Sequence, residues 1–214
     1  WLTVIMDSVG GVVLFLSLFA ACMSHNVHWL LCYVPYVLLR PIVQLYIKGN
    51  TIESLKISAM GQLYIAMLLS LLNFIYFEYG DIHLLLASLI FIWVNDTGAF
   101  CIGSLTGKHR LFERISPKKT WEGFFGGLIF NIIAALIRCF YDISECFSIL
   151  EWTSYSLLVT IFATWGDLLE SLIKRSVGAK DSGHMLPGHG GVLDRIDSLL
   201  LVTPMTLLFF FLIS

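Results

Sequence analysis

The sequence predicts an all-α integral membrane protein, a polytopic helical bundle with about seven transmembrane helices. Two observations predict this class. The 214 residues are 57% hydrophobic and only 13% charged, against roughly 25% charged in a typical soluble domain. The apolar residues are also gathered into runs near the roughly 20 residues that a helix needs to cross the hydrocarbon. Backbone groups in lipid must pair within their own segment, so these runs are expected as helices and not strands.

The candidate spans are about 4–22, 27–47, 57–77, 83–105, 121–141, 149–173 and 196–213. The first is the weakest, because Asp7 and Gly10-Gly11 interrupt its start. It lacks a charged leader and a clear small-residue cleavage site, so it reads as a span rather than a signal peptide. Seven crossings put the connections near 48–56, 106–120 and 174–195 on one side, and those near 23–26, 78–82 and 142–148 on the other. Twelve of the thirteen Lys and Arg residues fall on the first side. Arg138 alone falls on the second, beside Glu78, Asp81, Asp142 and Glu145. The positive-inside rule makes the first side cytoplasmic. Residues 1–82 read as generic N-terminal transmembrane helices, and residues 83–214 as a C-terminal catalytic transmembrane domain.

Some chemistries are excluded early. The five cysteines are scattered without a C-x-x-C pair, which argues against a disulfide framework and a zinc site. The formal charge is −2 and there is no basic tail, so no nucleic-acid partner is expected. Gly123 and Gly127 form a G-x-x-x-G on the fifth span, with Gly126 beside them. That motif serves either packing inside one chain, the favoured reading, or a homodimer seam.

Charge is concentrated between Gly166 and Asp197, in nine Asp, Glu, Lys and Arg residues. Charges at a membrane boundary are expensive and are functional candidates by default. Asp194 and Asp197 are spaced i, i+3 and would share a face of a helix at the start of the last span. Two acids on one face repel unless something cationic lies between them. Mg²⁺ suits them, because it is usually held by one or two carboxylates together with waters and substrate phosphates. Asp167 is the third expected ligand, Asp96 lies midway along the fourth span, and Glu170 is expected to pair with Lys174 at i, i+4.

Lys174, Arg175 and Lys180 sit in a loop loosened by Gly178, Gly183, Gly188, Gly190 and Gly191. Such a loop lets backbone N–H groups approach phosphate oxygens while the cations neutralise them. Lipid headgroups alone would also suit a basic cytoplasmic loop. No Walker loop is present. A second basic stretch runs Ser116-Pro117-Lys118-Lys119-Thr120-Trp121-Glu122-Gly123. Pro117 disfavours helix at Ser116, and Thr120 is a suitable N-cap for a helix with Glu122 in its first turn. The first amides of that helix would face an anion, with Lys118 and Lys119 beside them, and Trp121 would anchor at the interface. Both basic loops and the carboxylate pair converge on one cytoplasmic mouth. His184 and His189 make a poor zinc pair, and His25, His28 and His83 carry no assignment.

The ordered positions Ser171, Lys174-Arg175, Lys180-Asp181, Gly183, Leu186-Pro187, His189-Gly190-Gly191, Asp194-Arg195 and Asp197 resemble the phosphatidate cytidylyltransferases, also called CDP-diacylglycerol synthases. Ser116 to Gly123 is similar to a second block of that family, and Asp96 to Phe100 to a third, where relatives often carry Tyr in place of Phe100. The resemblance covers roughly the C-terminal 120 residues, and residues 1–80 match as generic helices. Members of the family usually carry further hydrophobic helices upstream, so a trimmed chain or a short relative is expected.

The resemblance implies an enzyme of a bacterial inner membrane that joins CTP and phosphatidate to give CDP-diacylglycerol and pyrophosphate. It implies Mg²⁺, with a second, monovalent cation as an open question. On this reading Asp167, Asp194 and Asp197 hold Mg²⁺, and Lys174, Arg175 and Lys180 bind phosphate groups and the leaving pyrophosphate. Lys118, Lys119 and Thr120 close over nucleotide or lipid phosphate. Asp96, Asp181, His189, Gly190, Gly191 and Arg195 complete the substrate-binding set. Two other classes stay open from the residues alone. One is an ion-coupled transporter using Asp96, Asp167 and Glu170 as a relay, although two symmetric halves with broken spans are not evident. The other is a CTP-dependent lipid kinase, or a cytidylyltransferase acting on another lipid phosphate.

Overall fold

Each apolar run folds as a helix. The computed structural model describes residues 1–47, 51–79, 82–140, 147–183 and 191–213. In chain order these are α1 (Leu2–Ser24), a 3₁₀ turn (Val27–Tyr33), α2 (Val34–Tyr46), α3 (Thr51–Gly61), a π-helical turn (Gln62–Met67), α4 (Leu68–Tyr79) and α5 (Ile82–Thr106). A hairpin of β1 (Arg110–Phe112) and β2 (Ser116–Thr120) follows. Then come α6 (Trp121–Phe140), α7 (Ile149–Ser176), a 3₁₀ turn (Leu193–Arg195) and α8 (Asp197–Ile213).

Among the described residues six helices are long and apolar enough to cross a membrane, which makes this a multi-pass membrane protein. The third is continuous from Ile52 to Tyr79 through the π-helical turn, longer than expected. α8 has 17 residues, a length of about 25 Å at 1.5 Å per residue, a few ångströms short of the hydrocarbon thickness. The two-stranded hairpin is the one addition to the all-α expectation among the described residues.

The chain divides into two units, Trp1–Leu85 and Leu86–Ser214. In the first, Asp7 does not interrupt α1. Arg40 Nε lies 2.6 Å from Asp7 Oδ1, and the Ser58 hydroxyl donates to the same oxygen at 2.7 Å. Tyr36 donates to it at 3.0 Å, and Gln62 donates to the Asp7 carbonyl at 2.7 Å. A charge is tolerated at membrane depth when it is paired and its remaining lone pairs are satisfied. Arg40 is thus committed to this network rather than to a cytoplasmic loop. The positive-side bias rests on the other basic residues.

The second unit is held by close packing and interhelical hydrogen bonds, because lipid supplies no hydrophobic drive between helices. Phe91, Trp152, Tyr155, Val159, Leu200 and Phe210 form its buried centre. The Tyr155 hydroxyl links Ser88 at 2.5 Å with Thr206 at 2.9 Å, tying α5, α7 and α8 together. Asn131 of α6 donates to the Thr160 hydroxyl of α7 at 2.9 Å. α7 begins with a capping box: Ser148 Oγ accepts from the Glu151 amide at 3.3 Å, and Glu151 accepts from the Ser148 amide at 2.6 Å. The glycines of α6 pack inside the chain, as favoured from the sequence. A Cβ on Gly126 would lie 2.9 Å from the Gly98 carbonyl, and one on Gly127 would lie 2.9 Å from that of Asn95.

Candidate active site

A cleft of about 570 Å³ opens in the second unit. α5 contributes Asp96, Phe100 and Gly103 along one face, the hairpin contributes Arg110, Lys118, Lys119 and Thr120, and α7 contributes Thr164 and Asp167. Asp96, Lys118, Lys119, Thr120 and Asp167, five residues expected from the sequence, therefore share one cleft. Arg110 was counted only for its charge. The hairpin that brings it to the cleft had no signal in a short stretch without alternating hydrophobicity.

Local chemistry explains the hairpin–helix junction. The Thr120 hydroxyl accepts from the Gly123 amide at 3.1 Å, so Thr120 is the N-cap that the sequence predicts. The Trp121 amide donates to the His109 carbonyl at 2.9 Å. Glu122 accepts from the His109 amide at 3.2 Å and contacts His109 Nδ1 at 2.6 Å. The amides of Trp121 and Gly123 are therefore already engaged, which corrects the expectation that this helix end faces an anion. Thr120→Ala should cost about 1 kcal/mol, read as a melting temperature lower by roughly 2–4 °C in detergent.

Across the cleft, Lys119 Nζ lies 2.7 Å from Asp167 Oδ2, and the Ser171 hydroxyl donates to Asp167 Oδ1 at 3.2 Å. Asp167 follows Gly166, where α7 packs against Asp197 and Ser198 at the start of α8. Gly166 makes this proximity possible. A Cβ there would sit 3.0 Å from the Asp197 carbonyl and 3.1 Å from Ser198 Cα, so only glycine lets α7 meet the start of α8 this closely.

Asp194 lies outside α8. The predicted shared face with Asp197 does not form, because Asp194 belongs to the 3₁₀ turn and Ile196 (φ −124°, ψ 6°) breaks the helical path before α8. Asp194 accepts from Lys174 Nζ at 2.7 Å, from the Gly191 amide at 2.8 Å and from the Ser182 amide at 3.0 Å. Desolvation opposes its ionisation, but the hydrogen bonds from Lys174, Gly191 and Ser182 outweigh it and hold the carboxyl well below the usual carboxylate range. Lys174 also contacts Glu170 at 2.5 Å, the i, i+4 pair expected from the sequence. Glu170 is 1% exposed, so this contact is what makes its charge bearable inside the bundle. Arg175 donates to the Ala179 carbonyl at 3.1 Å, and Lys180, Asp181 and Arg195 are exposed. His184, His189 and Gly190 lie outside the described residues.

The sequence profile of the cytidylyltransferase family matches residues 3–213. The chain belongs to the cytidylyltransferase family. Membership thus reaches almost to Trp1, beyond the C-terminal 120 residues that carried the resemblance. Among relatives, the phosphatidate cytidylyltransferase of Staphylococcus haemolyticus is 42% identical over 139 residues, 63% of this chain and 52% of that protein. Those of Staphylococcus saprophyticus and Staphylococcus aureus are 46% and 43% identical over 127 and 126 residues, each 58% of this chain and 47% of the relative. The matched part of the chain spans about half the length of these relatives.

Ser171 had no role from the sequence, and Gly191 was expected in the substrate-binding set; the structure sets each beside a carboxylate. Ser171, a position of the family pattern, orients Asp167. Gly191, another such position, supplies an amide to Asp194. Both act on a carboxylate from outside the cleft lining.

Proposed function

We propose that this chain carries the catalytic site of a phosphatidate cytidylyltransferase, facing the cytoplasm of a bacterial inner membrane. The observation that supports this best is the cleft itself, where Arg110, Lys118 and Lys119 face Asp96 and Asp167. Two polyanions, CTP and phosphatidate, need cations to offset their mutual repulsion, and carboxylates to hold a hard metal between them. A phosphate oxygen of phosphatidate attacks the α-phosphorus of CTP. The new P–O bond forms as the bond to the β-phosphate oxygen breaks, giving CDP-diacylglycerol and pyrophosphate. The nucleophile is already ionised, so no serine or cysteine intermediate is needed. The protein contributes positioning and electrostatic stabilisation.

The donor set suits Mg²⁺ in part. Asp167 on α7 and Asp197 at the start of α8 bring hard carboxylate oxygens from two helices that meet at Gly166. Among the described residues no three His, Cys, Asp or Glu side chains form a ready-made cage. Mg²⁺ is usually held by one or two carboxylates and completed by waters and substrate phosphates. Asp167 and Asp197 would hold it, and when bound it would neutralise charge on the CTP phosphates. Asp194, tied to Lys174 and to the amides of Ser182 and Gly191, would keep Lys174 directed at the leaving phosphates. A monovalent ion and a homodimer remain proposals of the same rank.

Radiolabelled CTP, phosphatidate and purified protein in detergent test this. The expected result is Mg²⁺-dependent label in the lipid phase, matched mole for mole by pyrophosphate. Release of CDP with a phosphorylated lipid would instead assign a CTP-dependent kinase. Absence of any lipid product from folded protein would reject the enzyme reading.

A further inference from the structure

Lys119 is placed among acids rather than toward open solvent. Its ammonium lies 2.7 Å from Asp167 and 3.4 Å from the Thr164 carbonyl, and it shares the cleft lining with Asp96. The Asp167 carboxylate of α7 is thus paired with an ammonium delivered by β2, in a cleft that Asp96 of α5 also lines. Its side chain is 24% exposed, so it is reachable from the cleft. Lys118 and Arg110 line the same cleft. A lysine is a point charge on a flexible stem, able to swing while its backbone stays fixed.

A divalent cation at Asp167 would repel that ammonium, since both seek the same carboxylate. Resting on the metal reading above, we infer that Lys119 is an internal counter-ion: it competes with the divalent cation for Asp167 and is released to the phosphates of the nucleotide. Asp167 stays paired without a metal, and the displaced charge goes to the substrate that needs it. Lys119 then opposes metal binding and favours nucleotide binding, two effects of opposite sign.

Mn²⁺ binding to the whole detergent-solubilised chain, followed by the electron paramagnetic resonance signal of free Mn²⁺, reads the first effect. Calorimetric titration with CTP at saturating Mn²⁺ reads the second. Lys119→Met is expected to bind Mn²⁺ roughly five-fold more tightly, the scale of losing one partly exposed ion pair, and to bind CTP several-fold more weakly. Lys119→Arg keeps the charge and should follow the wild type in both. Unchanged or weaker Mn²⁺ binding by Lys119→Met overturns the inference, and a general loss of structure, which weakens both ligands, counts against it as well. If wild-type protein binds no Mn²⁺ at all, the metal reading falls and takes the inference with it. Mn²⁺ binding that is equal in wild type and Lys119→Met overturns the inference alone.

Discussion

Asp197→Asn is expected to lower turnover of CTP by roughly a hundred- to a thousand-fold, the scale of removing one preorganised electrostatic group, while the protein stays folded. Asp197 Oδ1 accepts from the Ser198 amide at 2.7 Å at the start of α8. The asparagine carbonyl can keep that bond, so the helix start should survive. What the substitution removes is charge beside Asp167. In the protein alone this relieves repulsion and should leave thermal stability equal or higher. In the reaction it removes half of the paired carboxylates that would hold the cation. Asp194→Asn should behave differently. It unbalances the ion triad of Glu170, Lys174 and Asp194, so lower activity should come with lower stability. Steady-state turnover together with thermal unfolding separates the two. Near-normal turnover of folded Asp197→Asn would remove Asp197 from the metal assignment.

The contrast between these two acids marks the limit of the sequence reading. Spacing alone makes Asp194 and Asp197 one pair. Their separation depends on the backbone of Ile196 and on three donors, Lys174, Ser182 and Gly191, that arrive from up to twenty residues away. Tertiary partners of that kind leave no local signature. Asp167 and Lys119 were both legible as charged residues in grease, but their contact requires β2 to fold back beside α7. The seven helical runs were legible because lipid leaves a backbone few choices. Asp7 misled for the same reason that it is tolerated: its partner Arg40 is 33 residues away, and a lone acid in an apolar run looks like an interruption. Thr120 was legible as a cap because capping is local chemistry between a side chain and an amide three residues on.

Gly127→Val should have the largest effect on stability, about 3 kcal/mol or more of overpacking, enough to prevent recovery of monodisperse protein. Gly127 faces Asn95 across the α5–α6 contact. A Cβ there would lie 2.9 Å from the Asn95 backbone carbonyl and in closer collision with its side-chain amide. Asn95 is 2% exposed and has no room to turn away. The backbone is an unyielding obstacle, so α5 and α6 must separate, and with them Gly98–Gly126 and Gly103–Gly123, which pack by the same close approach. In lipid, separating helices forfeits packing and interhelical bonds that no hydrophobic term replaces. The damage is also functional, because Asp96 follows Asn95 on α5 and lines the cleft. Gly61→Ala is the matching control. Nothing lies within 4 Å of a Cβ at Gly61, and alanine in a helix is favoured over glycine by about 0.8–1.0 kcal/mol. Size-exclusion profile and melting temperature should therefore move in opposite directions for the two variants. If Gly127→Val were as stable as wild type, the close α5–α6 seam would be disproved, and with it the wall of the cleft that presents Asp96.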